Sequence, residues 1–100
     1  MVELSALRVF LVAAEERNFS KAAKRLHMSQ SAISQNIQTI ERAYKIDLFN
    51  RHGRTVELSE AGQNILPMVR DVLLAARLLE DGLQDVNSQV GGELLIGCST

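Results

Sequence analysis

The chain has 100 residues, of which 46% are hydrophobic, so it can form one domain with a core but not two. No run of 18 apolar residues predicts a membrane span, and Glu3 and Arg8 interrupt the N-terminal apolar residues where a signal peptide would need continuity. The single cysteine, Cys98, excludes an intrachain disulfide and favours a cytoplasmic protein with a buried free thiol.

The net charge of −1 is unevenly distributed along the chain. Residues 1–58 contain nine Lys or Arg and six Asp or Glu, whereas residues 59–100 contain two and six. Binding to nucleic acid depends on local phosphate contacts, so a basic N-terminal part remains compatible with it despite the overall charge. The modest basic excess predicts moderate affinity for one copy, with two copies acting together.

The first predicted helix covers about Ser5 to Glu16. Its apolar residues recur at helical spacing and predict one inward face, formed by Leu4, Leu7, Phe10, Leu11 and Ala14. Asn18 is predicted to end this helix, because Asn tolerates the left-handed conformation found at helix C termini. Phe19 is expected to enter the same core.

Two further helices are predicted around a short turn at His27 and Met28. Ser20 is expected to cap a helix over residues 21–26, and Ser29 to cap a helix over residues 30–44. In the shorter helix Ala22, Ala23 and Leu26 are expected to face inward. The outward side chains, Lys21, Lys24 and Arg25, either meet phosphates or are ordinary solubilising charge.

The helix over residues 30–44 has two distinct faces. A predicted buried stripe consists of Ile33, Ile37, Ile40 and Tyr44. The opposite face carries hydrogen-bonding side chains without acidic groups: Ser31, Ser34, Gln35, Gln38 and Arg42. Because Ser and Gln suit contacts with base edges, we interpret this region as a helix-turn-helix whose second helix reads DNA. The alternative is a helical pair that never touches DNA.

A small hairpin is predicted after Tyr44. Leu48-Phe49 forms one strand, and the alternating residues 55–58 form the other. The predicted tip comprises Arg51, His52, Gly53 and Arg54, which would suit insertion into a minor groove with its concentrated negative potential. The alternative is a solvent-exposed hairpin with incidental charge.

A long helix is predicted from Ser59, its cap, to about Asn87, with a bend at Pro67. Its heptad-spaced apolar residues predict helix pairing, hence a homodimer, through Ile65, Val69, Val72, Ala76, Leu79, Leu83 and Val86. Leu66, Leu73 and Leu74 widen this stripe, so part of it is expected to pack on the first helix. The alternative is a core helix within a larger single domain.

The polar, Gly-rich stretch at residues 87–92 is predicted to end the helix and act as a hinge. An apolar strand is expected at residues 93–97, as at the start of a second domain of a longer protein. The predicted fold is mainly α with a small β-hairpin. It divides into a winged helix-turn-helix at residues 1–58, a dimerisation helix at 59–88, and a hinge with the first strand of a truncated domain at 89–100.

These segments resemble the N-terminal DNA-binding domain of LysR-type transcriptional regulators. LRVFLVAAEERNFSKAAKRLHMSQSAISQNIQTIE is similar to that family's first three helices, LFNRHGRTVELSEAGQNILP to its wing and linker helix, and GGELLIG to the first strand of its effector-binding domain. The resemblance implies a bacterial regulator that binds double-stranded promoter DNA as a dimer, often as a tetramer at full length. It also implies a small-molecule inducer bound by a C-terminal domain absent from this chain, which itself needs no cofactor.

By position, the resemblance implies DNA contacts from the reading helix and the wing, through Gln30, Ser31, Ala32, Ser34, Gln35, Arg51 and Arg54. The predicted DNA-binding residues also include Ser20, Ser29 and Gln38. Three departures from the family's usual pattern are Ser31 in place of Pro, Gln35 in place of Arg, and Tyr44-Lys45 where Gly is common. Since Gln favours adenine and Arg favours guanine, Gln35 and Gln38 predict A·T-rich half-sites.

An enzyme is not expected, because no catalytic constellation of side chains is present. His27 and His52 are too isolated to predict a metal site. The remaining alternative is a protein-interaction module that dimerises through the heptad-spaced residues. That alternative explains the long helix but neither the Ser/Gln face nor the arginines of the hairpin.

Overall fold

The computed structural model describes residues 2–52 and 55–90. Within these residues the chain forms four helices and a two-stranded sheet. In chain order they are α1 (Leu4–Glu16), α2 (Phe19–Leu26), α3 (Gln30–Tyr44), β1 (Phe49–His52), β2 (Thr55–Leu58) and α4 (Glu60–Val90). This arrangement confirms the predicted mainly α fold with a hairpin. Within the same residues, no helix is both long and apolar enough to cross a membrane.

The core lies where α1, α2 and α3 meet the hairpin. Its largest fully buried side chains are Phe10, Ile33, Ile37 and Leu48. The ring of Phe49 on β1 lies 5.5 Å from that of Phe10, measured between centroids. It also meets the Phe19 ring edge-on at 5.6 Å. Aromatic contacts of this kind add to the stabilisation from burial, so they fix β1 against the helices.

Helix α1 buries a wider arc than its sequence predicts. The buried residues are Ala6, Val9, Phe10, Val12 and Ala13, whereas Leu7, Leu11 and Ala14 are only half-buried and Leu4 is exposed. The predicted face was therefore wrong at Leu4 and incomplete elsewhere. The reason is that α1 packs against three other helices, α2, α3 and α4, so more than one stripe is covered.

The junction of α1 and α2 differs from the prediction at two residues. Arg17, with φ of 55°, adopts the left-handed conformation and ends α1, a role predicted for Asn18. Asn18 is instead extended and caps α2, with its Oδ1 accepting a hydrogen bond from the Lys21 backbone N at 2.9 Å. The prediction that Ser20 caps α2 was therefore wrong. Asn is an equally good cap, and starting α2 at Phe19 lets that ring enter the core.

Helix α3 has the predicted bounds and the predicted cap. The Ser29 Oγ accepts from the Ala32 backbone N at 3.0 Å, and Ile33, Ile37 and Ile40 are buried. Tyr44, however, is 53% exposed, so its place in the buried stripe was wrong. The helix ends at Lys45, whose φ of 55° is one that glycine adopts without strain.

The hairpin is antiparallel, with Phe49 opposite Leu58 and Arg51 opposite Val56. Val56 is buried while Thr55 and Glu57 are exposed, as the strand alternation predicts. Arg51 and His52 belong to β1 rather than to the tip, which corrects their predicted placement. The rest of the predicted tip, Gly53 and Arg54, lies outside the described residues.

Helix α4 is anchored at its start by Ser59. The Ser59 Oγ accepts from the Gly62 backbone N at 3.0 Å, as a cap should, and it also donates to the Asp47 carbonyl. The Ser59 backbone N donates to the Leu48 carbonyl at 2.9 Å. Gly62 faces the same carbonyl so closely that an added Cβ would lie 2.3 Å from the Leu48 oxygen. These contacts join α4 to the chain that leads into the hairpin.

Helix α4 continues through Pro67 and reaches Val90, the last described residue, so it extends past the predicted end at about Asn87. Its first half packs on the core, because Val69 is buried and Ile65, Leu66 and Leu73 are half-buried against it. Ile65 and Val69, predicted as dimer contacts, therefore pack within their own chain. The predicted strand at residues 93–97 and Cys98 lie outside the described residues.

Candidate nucleic-acid interface

The outward face of α3 carries most of the predicted DNA contacts. Ser31 and Gln35 are exposed, and Ser34 and Gln38 are half-buried, on the side away from the buried isoleucines. Within the described residues, the side chains of Ser31, Ser34 and Gln35 make no hydrogen bond. This face therefore presents uncharged donors and acceptors that have no partner within the described residues. Such groups can form hydrogen bonds with base edges in a DNA groove.

The three glutamines of α3 are not equivalent. The Gln30 Oε1 accepts from the Ser20 Oγ at 2.9 Å, and the Gln38 Oε1 accepts from the Arg42 Nη2 at 3.1 Å. Gln35 alone among the glutamines in the described part of α3 keeps both its amide oxygen and its amide nitrogen without a partner. The sequence does not distinguish the three, because their partners are set by side-chain packing.

Two of the predicted contact residues also serve the structure of α3. Ser29 uses its hydroxyl oxygen to accept from the Ala32 backbone N, and Ala32 itself is half-buried. Other polar side chains of the helix bond to its own backbone. The Asn36 Nδ2 donates to the Ala32 carbonyl at 2.8 Å, and the Thr39 Oγ1 donates to the Gln35 carbonyl at 2.8 Å. Asn36 and Thr39 are therefore poorer candidates for base contacts than Gln35.

An open cleft of about 700 Å³ lies between the start of α2, the start of α3 and the hairpin. It brings together four of the predicted contact residues, which are Ser20, Gln30, Ser34 and Arg51. Three polar side chains and one cation thus meet in a concave surface. The two helices and the hairpin together form this site, so no single element contains it.

Arg51 points back towards the helices. Its guanidinium carbon lies 5.3 Å from the centroid of the Phe19 ring, a cation–π arrangement. Its Nη2 is 3.8 Å from the Glu41 Oε1, and the Arg51 side chain remains 42% exposed. Arg51 is therefore held against the start of α2 and the end of α3, at the side of the cleft.

Glu41 links parts of the site in a way that the sequence did not predict. Its Oε2 accepts from the backbone N of Leu48 at 2.8 Å, while its Oε1 faces Arg51. One side chain of α3 thus contacts both the entrance to the hairpin and a side chain of β1. A lone Glu near a helix end gives no sequence signal for this role, because the contacts cross a turn.

The exposed cations of α2 differ in their surroundings. The Arg25 Nη1 lies 2.8 Å from the Glu15 Oε1 and 3.2 Å from the Glu16 Oε2. Hydrogen bonds with these two carboxylates raise the pKa of Arg25 above its ordinary value. Lys21 and Lys24 are exposed and form no ion pair within the described residues. Of the three predicted cations, the two lysines thus remain available to phosphates.

The second half of α4 exposes large apolar side chains. Leu79 is 64% exposed and Leu83 is 60% exposed, and Val72 and Val86 are exposed as well. Ala76 is half-buried. These five residues complete the predicted heptad series beyond Ile65 and Val69.

In the described part of the chain, no group of three or more His, Cys, Asp or Glu could hold a metal ion.

Residues 4–63 match the family described as "Bacterial regulatory helix-turn-helix protein, lysR family". The transcriptional activator IlvY of Salmonella typhimurium is 37% identical over 98 residues, which cover 98% of this chain and 33% of that protein. A regulator of Azotobacter vinelandii from the ibpB-leuC intergenic region is 36% identical over 98% of this chain and 68% of its own length. The chain thus spans about a third of IlvY and two thirds of the second relative.

Solved structures show the same likeness. The DNA-binding domain of CbnR, in a complex with DNA, is 35% identical with a TM-score of 0.78, and the match covers 83% of this chain and 95% of that one. The DNA-binding domain of BenM, in a complex with catB site 1 DNA, is 29% identical with a TM-score of 0.82, covering 86% and 97%. The chain belongs to the LysR family of bacterial transcriptional regulators, and its fold is that of the family's winged helix-turn-helix DNA-binding domains.

Proposed function

We propose that this chain binds double-stranded promoter DNA in a sequence-specific manner, as the DNA-binding part of a regulator of transcription initiation. The observation that carries the proposal is the uncharged polar face of α3, where Ser31 and Gln35 are exposed opposite a buried isoleucine stripe. An α-helix fits the major groove of B-DNA, where each base pair presents a distinct set of donors and acceptors. CbnR and BenM, which share this fold, were solved with DNA.

Gln35 is the proposed reader of adenine. Its amide oxygen and nitrogen both lack partners within the described residues, so it can bond to adenine N6 and N7 together. Gln38, proposed earlier for the same role, has its oxygen bonded to Arg42. We therefore expect Gln35→Ala to abolish the preference for adenine at one position of each half-site, and Gln38→Ala to change base preference much less.

The proposed roles of the two hairpin arginines differ. Arg51 stacks on Phe19 and faces Glu41, so it is suited to a phosphate at the side of the cleft while it orients β1. Arg54, which lies outside the described residues, is the proposed minor-groove contact. Ser20, Ser29, Gln30, Ser31, Ala32 and Ser34 complete the proposed contact surface.

A homodimer through α4 is the proposed assembly. Val72, Leu79, Leu83 and Val86 are exposed, and burying such apolar side chains against a second copy is favourable. Ala76, half-buried, lies between them in the heptad series. Ile65 and Val69 pack on the core of their own chain and would thereby hold α4 in position for the dimer contact. A tetramer and a small-molecule inducer are proposed only for a full-length protein with an effector-binding domain.

Sequence selection from a random DNA pool at two salt concentrations tests the proposal. The wild-type chain should enrich an inverted repeat whose half-sites lie one or more helical turns apart. The double variant with Gln35→Ala and Arg54→Ala should lose this enrichment while remaining dimeric, whereas Gln84→Ala on exposed α4 should keep it. Unchanged binding by the double variant would instead favour a protein-interaction module.

Sedimentation velocity tests the assembly separately. Leu83→Lys should shift the chain towards monomer, because it places a cation in the proposed apolar interface. Gln84→Lys adds the same charge at the next exposed position and should leave the dimer intact. Equal sedimentation of Leu83→Lys and the wild type would overturn the proposed interface.

A further inference from the structure

The hydrogen bond between α2 and the first residue of α3 has a consequence for base recognition. The Ser20 hydroxyl donates to the Gln30 Oε1 at 2.9 Å, across ten positions of sequence. Both side chains are exposed at the mouth of the cleft that also contains Ser34 and Arg51. Since Asn18 caps α2, the Ser20 hydroxyl is not needed as a cap and is available for this bond.

A glutamine amide has an acceptor end and a donor end, and rotation about its last bond exchanges them. In Gln30 the oxygen is held against α2 by Ser20, so the unbonded end is the nitrogen with its two hydrogens. Gln35 differs, because neither end of its amide has a partner within the described residues. The two glutamines therefore present different hydrogen-bonding groups on the same helix face.

We propose that Ser20 is a positioning residue that fixes Gln30 as a hydrogen-bond donor and thereby sets the base that Gln30 reads. This inference rests on the proposed function. In the major groove, guanine offers acceptors at O6 and N7, thymine at O4 and adenine at N7, whereas cytosine offers only the N4 donor. The bidentate pairing with adenine also needs the acceptor end of an amide. A donor-only Gln30 thus disfavours cytosine, while the unrestrained Gln35 selects adenine.

The test is the same DNA selection, run on four variants. Gln30→Ala first identifies the base step that Gln30 reads, as the step at which preference disappears. At that step the wild type should discriminate against cytosine by about three- to tenfold, the range expected for one hydrogen bond. Ser20→Ala should reduce that discrimination to less than about twofold, because the freed amide can turn over. Ser20→Thr keeps the hydroxyl and should retain it.

Ser5→Ala, an exposed serine in the first turn of α1, is the matched control and should change nothing. Thermal unfolding of each variant shows that it is folded, and Ala is favourable inside a helix. If Ser20→Ala weakened all sequences equally with base preference unchanged, Ser20 would be a phosphate contact and the inference would be overturned. If Gln30→Ala changed no base preference, the inference would fail as well. A wild type that enriches no sequence would overturn the proposed function itself, which is a different result.

Discussion

Replacing Glu41 with alanine removes the side chain that joins α3 to the hairpin. The Glu41 carboxylate accepts from the backbone N of Leu48 at 2.8 Å and lies 3.8 Å from the Arg51 guanidinium. Leu48 is fully buried, so its N–H would lose its partner in a place that solvent reaches poorly. We therefore expect Glu41→Ala to destabilise the domain and to loosen the hairpin from the reading helix.

The magnitude follows from the two contacts. A hydrogen bond to a charged group contributes about 1.5–3 kcal/mol, and the half-exposed ion pair with Arg51 adds at most about 1 kcal/mol. We expect Glu41→Ala to lower the free energy of unfolding by about 2–3 kcal/mol, which corresponds to a Tm decrease of roughly 10–20 °C for a domain of this size. Glu41→Gln keeps an oxygen for the Leu48 N–H and should cost about 1 kcal/mol.

The assay is urea unfolding followed by circular dichroism, at one protein concentration because dimerisation would shift apparent stability. Glu57→Ala is the control, since Glu57 is exposed on β2 and makes no side-chain hydrogen bond or ion pair within the described residues. If Glu41→Ala cost no more than Glu57→Ala, the assigned link between α3 and the hairpin would be refuted. An equal loss for Glu41→Gln and Glu41→Ala would show that the charge matters more than the Leu48 hydrogen bond.

Two further predictions concern the anchoring of α4 and the charge on α2. Gly62→Ala should lower the free energy of unfolding by about 1–3 kcal/mol, because its Cβ would lie 2.3 Å from the Leu48 carbonyl oxygen. Gly82→Ala is the matched control in urea unfolding, since its Cβ would meet nothing within 4 Å, and a neutral Gly62→Ala would contradict the close approach. Arg25→Ala should leave DNA affinity and its salt dependence unchanged in fluorescence anisotropy, because Arg25 is paired with Glu15 and Glu16. A shallower salt dependence would instead identify Arg25 as a phosphate contact.

Local patterns in the sequence predict much of this molecule. The isoleucine spacing places one face of α3 in the core, and Ser29 marks its start because a cap needs only the next three residues. The alternation of residues 55–58 predicts β2 for a similar reason. The same local reasoning was wrong where two neighbouring polar residues could each cap one helix, as with Asn18 and Ser20. It also failed at Tyr44, which continues the helical spacing of the buried isoleucines but is exposed because it lies beyond the core.

The sequence by itself determined the helix-turn-helix, the hairpin and the long apolar helix, since hydrophobic periodicity and capping act over a few neighbouring residues. Only the tertiary structure decided how the side chains on those elements are used. It holds Arg51 between Phe19 and Glu41, and it bonds the Gln30 oxygen to Ser20 while leaving Gln35 unrestrained. Such contacts join residues distant in sequence, and the packing angles that create them leave no periodic signal along the chain.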